Sequence, residues 1–345
     1  MREVKVLMAG GEVLLSRHYF WSEASGGTYP VDALIGIAVG CVSQEAREFS
    51  CSMGIVQDFA QGAEDLARLT GLRVSAERLR RITEREGEPI AQAQREGTLC
   101  PSWSAEDAKV EGTEQTRIYV GADGVKVRTV TQAQKDKRCH EQSRIHTHAF
   151  ATNEDHMALG QMLGEQAEAI GWAEATQRVS LTDGTPWIRN QILKHLQPID
   201  AMLLNLYHFS EHVWATAHVC LGRGQAAETW AQEQRTAIKE AGPRPVLAAI
   251  DGLRKKMRSP GKLDSLRLQR NYIVERWEMV DYRLSLARGW DIGPGPTEAT
   301  CKNLTLRLKR PGMKWDADHA AAMMSLIALK ESGQWADYWQ PRKCA

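Results

Sequence analysis

Three acidic residues stand where their types and spacing could do phosphoryl-transfer chemistry. Asp123 follows the β-rich run TRIYVG (116–121), Asp183 follows RVSLT (178–182), and Glu298 falls just past Gly295-Pro296. Hard divalent cations such as Mg²⁺ or Mn²⁺ take oxygen ligands. Two of them about 4 Å apart activate an attacking oxygen and stabilise a leaving one. Carboxylates at the ends of neighbouring strands point to one sheet edge, and a packed helix can supply a third. An Asp-Gly pair is more commonly just a turn, so each acid alone says little. The order strand-Asp, strand-Asp, helix-Glu carries the reading.

The elements that must position these acids are legible in outline. TRIYVG and VKVRTV (125–130) read as strands on either side of Ala-Asp-Gly, and SRIHTHAFA (143–151) as a third. Asn153 is a capping residue for a helix to about residue 170, with Leu159, Met162, Leu163 and Ile170 on one face. With RVSLT this makes β-β-β-α-β, and IDAMLLNL (199–206) adds a further strand. From 207 to about 289 the pattern is helical, broken at 222–224, 242–243 and 259–261. Pro296, at a first helical position, then opens a helix to about residue 310 with Glu298 in its first turn.

Upstream, residues 2–20 alternate apolar and polar about Gly10-Gly11 and predict a β-hairpin. Helical runs at 33–48, 54–70 and 75–86 with tight joints suit a helix-turn-helix module. Arg78, Arg80, Arg81 and Arg85 of the third run are enough to touch phosphates. Their interleaving with Glu77, Glu84 and Glu86 also fits a plain solvated face. The expected organisation is a hairpin (1–30), a helical region (31–114), a core begun over 115–206, a helical insertion (207–290) and core-completing helices (291–345).

Composition bounds the function classes. The 345 residues are 43% hydrophobic and 25% charged, a globular balance. No 18-residue apolar window exists, so no membrane-spanning helix is expected, and the N-terminus lacks the apolar stretch of a secretory signal. Seven cysteines, odd in number and without a C-x-x-C pair, argue against a disulfide framework and fit a reducing cytoplasm. With 44 basic against 43 acidic residues the net charge is +1, so nucleic-acid contact must come from local patches. Residues 302–315 form an acid-free stretch carrying Lys302, Arg307, Lys309, Arg310 and Lys314. Seven basic residues between 254 and 270 face Asp264 alone. Trp187 and Trp315 could stack on a splayed base, or simply pack in the core.

The chain resembles the DDE transposases of bacterial insertion sequences, specifically the ISKra-type family, over most of its length. The resemblance rests on IYVGADGVKVRTV (118–130), VSLTDGTPWIRNQ (179–191), LLNLYHFSEHVWATA (203–217), DIGPGPTEATCKNLTLRLKRPGMKW (291–315) and SGQWADYW (332–339). It implies a ribonuclease-H-like α/β core, a mixed sheet with helices, interrupted by an all-α insertion. It further implies that Asp123, Asp183 and Glu298 hold two Mg²⁺ or Mn²⁺ ions and that His208 contacts the scissile phosphate. The implied activity is cleavage at transposon ends followed by attack of the freed 3′-hydroxyl on target DNA. A homodimer on DNA, located in the bacterial cytoplasm with the nucleoid, would be the working form. Four features depart from the family pattern: HYFWSEASGG (18–27) has no paired cysteines, the 128–151 segment is short, only 60 residues separate the first two acids, and Asn205 replaces an aspartate. A ribonuclease-H-like nuclease without strand transfer, or a transposase-derived DNA-binding protein without catalysis, therefore remains open. His208-Phe-Ser-Glu211-His212 also spells H-x-x-E-H, a zinc-protease pattern, but no third ligand is evident. Gly222-Arg-Gly224 and Gly293-Pro-Gly295 lack the Lys-Ser/Thr of a phosphate-binding loop, so ATP is not implied.

Overall fold

The computed structural model describes residues 1–23, 26–37, 40–99, 101–122, 149–152, 155–293, 295–310, 313 and 315–340. Asp123, Lys314, Asn153, the expected strand 125–130 and most of the expected strand 143–151 lie outside the described residues. The chain divides into two compact units. One comprises Met1–Ser102, Lys126–Asp155 and Lys302–Ala345, the other Trp103–Val125 and His156–Cys301.

The first unit opens on a hairpin, β1 (Arg2–Met8) paired antiparallel with β2 (Gly11–Arg17) from Arg2↔Arg17 to Met8↔Gly11. Val6 and Leu7 bury its inner end. A smaller pair, β3 (Phe20–Ser22) with β4 (Gly26–Thr28), follows. Four helices come next: α1 (Pro30–Leu34), α2 (Gln44–Gly54), α3 (Phe59–Thr70) and α4 (Ala76–Arg95). The predicted run 33–48 is split, because Ser43 accepts from the Ala46 N–H and so starts α2 afresh. Asp58 and Ser75 cap α3 and α4 in the same way. The run predicted to stop at 86 continues through Pro89 to Arg95, since its buried stripe, Leu79, Ile82, Glu86, Ile90 and Gln94, continues too.

The second unit is built on three parallel strands. These are β5 (Arg117–Val120), β6 (Gln177–Thr182) and β7 (Ala201–Leu204), hydrogen-bonded in that order. Helix α5 (His156–Ala169) lies between β5 and β6 in the chain, and α6 (Pro186–His195) between β6 and β7. The sequence reading expected a mixed sheet; the described strands of this sheet are all parallel. A helical layer follows: α7 (Leu206–Leu221), α8 (Gln225–Ala241), α9 (Pro243–Lys256), α10 (Pro260–Glu275) and α11 (Tyr282–Ala287). Proline stands at the start of both α9 and α10, where its missing N–H costs nothing. Phe209, Val213, Ala231, Ile238, Ile250, Ile273 and Tyr282 give this layer a core of its own. Phe209 and Tyr282 meet edge-to-face at 5.9 Å.

Helix α12 (Gly295–Leu306) carries Glu298, and the boundary between the units falls inside it. Two helices complete the chain, α13 (Ala317–Glu331) and α14 (Trp335–Trp339). Residues 302–345 group with the N-terminal helices of the first unit rather than with the parallel sheet. Helix α13 buries Ala320 to Met323 and Ser325 to Leu329, which leaves it apolar nearly all round and in need of partners on several sides. Helix α4 supplies one, and Ala149 pairs with Ser332 Oγ at 2.8 Å. The Tyr338 hydroxyl donates to Glu86 at 2.9 Å and the Trp335 indole to Glu48 at 3.2 Å.

Candidate active site

At the carboxyl edge of the parallel sheet, Gly121, Asp183 and Asn205 stand just beyond β5, β6 and β7. The β5–β6 register pairs Val120 with Ser180, a spacing of 60 residues. Asp123 and Asp183 are separated by the same 60 in sequence.

Asp183 ends β6 and begins a tight strand-to-helix turn. One of its carboxylate oxygens accepts from the Thr185 N–H at 2.8 Å, and the other accepts from the Thr185 hydroxyl. Asp183 is therefore oriented before any ligand arrives, with lone pairs left over on both oxygens. Pro186 then opens α6. Gly184 sits at φ +73°, and a Cβ there would come within 2.8 Å of Arg276 Nε and 2.9 Å of Leu204 Cδ1. Only glycine fits both the backbone and the space.

Arg276 reaches this turn from the end of α10. Its Nη2 donates to the Gly184 carbonyl at 3.1 Å while the guanidinium lies 4.2 Å over the Tyr272 ring. Tyr272 in turn stacks on His212 at 3.8 Å with an interplanar angle of 19°. Burial, with Asp183 and Glu211 adding to it and Arg276 opposing, pushes the Tyr272 phenol up to about 12. Burial first and Arg276 second hold the His212 imidazole below its ordinary range. The stack thus delivers a fixed positive charge to the main chain beside Asp183 without capping its carboxylate.

Glu298 is positioned by a different set of contacts. Arg117 Nη2 donates to the Arg288 carbonyl at 3.2 Å, and the Trp290 indole donates to Gln177 at 3.0 Å. The Asp291 N–H donates to the Tyr119 hydroxyl at 2.9 Å, and the Leu206 N–H to the Ile292 carbonyl at 2.9 Å. These bonds stitch 288–292 along β5, β6 and the start of α7, so α12 begins at the sheet's carboxyl edge. There the Thr297 side chain lies flat against Gly121, whose would-be Cβ overlaps its Oγ1 and comes within 2.7 Å of Cγ2. Glu298, next in sequence, is exposed. The first acid of the expected triad, Asp123, lies outside the described residues, while the neighbourhoods of the other two converge on one edge.

His208 is half-buried in the first turn of α7, with Nδ1 3.3 Å from Glu211 Oε2. Asn205 caps that helix, accepting from the Tyr207 N–H at 2.9 Å. Among the described residues no group of three His, Cys, Asp or Glu could hold a metal ion, so the H-x-x-E-H pair finds no third ligand there. The two described carboxylates still suit Mg²⁺ or Mn²⁺. Both are oxygen donors, and neither is tied up in an ion pair among the described contacts, since Arg276 bonds a carbonyl rather than Asp183. Trp187, in the first turn of α6, packs edge-to-face on His156 at 6.2 Å.

The basic stretch after α12 needs a correction. Arg307 is 2% exposed. Its Nε donates to the Gly54 carbonyl at 3.1 Å, and its guanidinium lies 4.7 Å from the Phe59 ring and 5.3 Å from the Trp315 ring, which meet each other edge-on. Burial pulls it down to about 10, and the nearby Arg310 adds to the effect. A guanidinium packed in this way serves the fold of the first unit and is not available to a phosphate. Arg310 donates to the Val56 carbonyl at 2.8 Å, whereas Lys302 and Lys309 are exposed. Trp315 is core as well.

Sequence reasoning missed Thr297, Arg276 and Tyr272, and noticed His212 only as part of H-x-x-E-H. Only the i, i+4 spacing of Tyr272 and Arg276 hinted at a helical pair; their link to Asp183 spans about 90 residues of chain and left no local mark.

No protein-family model and no solved structure matches the chain. It is similar to a UPF0236 protein in the vanSb 3′ region of Streptococcus gallolyticus, 22% identical over 354 residues that cover 96% of this chain and 73% of the relative.

Proposed function

We propose that the chain is a DDE-type DNA transposase that cuts at transposon ends and joins the freed 3′-hydroxyl to target DNA. One observation supports this reading above the rest. Thr297 is seated against Gly121 at the end of β5, so the segment leading to Glu298 meets the one leading toward Asp123 next to the strand, β6, that ends at Asp183. Two divalent cations, when bound, would activate the attacking oxygen and offset charge on the scissile phosphate. Asp183 and Glu298 are the described side chains that would hold them, and Asp123 is the third acid that the resemblance implies. Thr185 keeps Asp183 oriented, and Arg276 fixes the main chain behind it. His208 faces the role of phosphate contact, and Lys302 and Lys309 remain exposed for DNA.

The test is cleavage and joining of a labelled transposon end with Mg²⁺ or Mn²⁺. Asp183→Asn keeps one oxygen for the Thr185 N–H and can donate its amide to the Thr185 hydroxyl, so it should fold and bind DNA yet lose cleavage by about 10³-fold. Cleavage by wild type without joining would instead identify a nuclease. Equal DNA affinity with no cleavage by either protein would identify a DNA-binding derivative.

A further inference from the structure

Within the first unit, a cavity of about 180 Å³ between α2 and α4 has an apolar floor of Val42 and Ile82 beside Gly40, and is walled by Arg47, Arg78, Arg81, Arg85 and Glu86. Arg78, Arg81 and Arg85 share one face of α4 at i, i+3 and i+7 spacing, and Arg47 faces them from α2. One water needs about 10–15 Å³, so the cavity has room for a tetrahedral oxyanion with part of its hydration.

The charges do not cancel inside this cavity. Arg47 sits 3.1 Å from Glu86, which also accepts from Tyr338. Arg78 pairs with Glu12 at 2.5 Å and Arg81 with Glu77 at 2.7 Å. Both of those glutamates are about half-exposed; Arg78 holds Glu12 low, and Arg80 first and Arg81 second hold Glu77 at about 2, so both are solvated rim carboxylates. Arg85 has no carboxylate partner among the described residues, and its Nη1 lies within 2.7 Å of where a Gly40 Cβ would be. A Glu-Arg surface ladder would place an acid within reach of every arginine. This one leaves an exposed forked donor packed against Gly40, where a Cβ would push it aside.

We infer that this arginine-lined cavity binds a phosphate of a nucleic-acid backbone. Guanidinium groups match phosphate oxygens with paired donors; Arg78 and Arg81 can exchange solvated carboxylates for phosphate at little cost, and Arg85 has none to give up. The inference rests on the DNA partner of the proposed function and names a place in the first unit where that partner is held.

Fluorescence anisotropy of the full chain with a labelled 20-base-pair duplex, titrated from 50 to 200 mM salt, tests it. Arg85→Gln should raise Kd about tenfold and cut the slope of log K against log salt by about 1. Arg85→Lys should restore the slope, and Arg81→Gln, on a largely exposed side chain, should give a smaller change of the same sign. Arg244→Gln, an exposed arginine on α9, removes the same charge and should leave the slope unchanged. Melting temperatures within a degree or two of wild type show that the variants fold. Duplex binding by wild type with an unchanged Arg85→Gln slope overturns the inference and leaves the proposed function standing. No duplex binding by wild type overturns both. Protection by inorganic phosphate that depends on Arg85, without any effect on duplex binding, would mean a free-anion site and overturns the nucleic-acid assignment.

Discussion

Gly121→Ala is the most direct test of how the candidate site is assembled. The added Cβ would overlap Thr297 Oγ1 and lie 2.7 Å from Cγ2 and 2.8 Å from Cβ. Real Cβ atoms essentially never come within 3.0 Å of such neighbours. Rotation of Thr297 cannot relieve the crowding, because its Cβ is one of the clashing atoms. The first turn of α12 must therefore retreat from the end of β5 by roughly 1 Å, and overpacking of this kind costs about 1–3 kcal/mol. Glu298, one residue further on, moves with the turn. A misplacement of about 1 Å at a reacting constellation costs on the order of 10²-fold in rate. The expected result is a drop in melting temperature of several degrees and a fall in metal-dependent cleavage near 10²-fold, with DNA affinity unchanged. Thr297→Ala in the Gly121→Ala background removes two of the three clashing atoms and should recover part of both losses. Cleavage and melting temperature equal to wild type in Gly121→Ala would refute the claim that this contact sets the position of Glu298.

Three further outcomes follow from the same contacts. Arg307→Ala removes a buried donor to the Gly54 carbonyl and the guanidinium packed on Phe59 and Trp315; it should destabilise the protein by about 2–4 kcal/mol in denaturant unfolding. Arg276→Gln withdraws the charge beside His212 and Gly184, so the His212 titration followed by NMR should move up toward its ordinary value, and cleavage should fall while DNA binding persists. Because the folded state holds His212 low, it binds a proton less readily than the unfolded chain. The associated stability is complete above about pH 6.5 and is lost as pH falls through the folded value. His212→Gln should flatten that slope in thermal melts between pH 7 and 5.

Where the sequence carried local signals, the elements lie close to where those signals put them. Alternation about Gly10-Gly11 became β1 and β2, RVSLT became most of β6, and prolines mark the starts of α9 and α10. The Asp183 turn was legible from Asp-Gly after RVSLT, whereas the helix that Pro186 opens was not read from the sequence. These features depend on residues a few positions apart, so backbone geometry and hydrogen bonds within one turn suffice to determine them. The partners of the site were not legible. Arg276 meets Gly184, Asp291 meets Tyr119 and Thr297 meets Gly121 across roughly 90 to 180 residues, and no local pattern encodes which distant side chain fills a given space.

The same division explains the arginines. By itself the sequence determined that 302–315 is basic and free of acids, and that α13 is apolar. Only the tertiary structure decided that Arg307 is buried beneath Phe59 and Trp315 while Arg85 lies open over Gly40. A positive charge reads identically in a sequence whether its donors end on a carbonyl, a carboxylate or a cavity. What it can bind is set by which of these packing brings within reach.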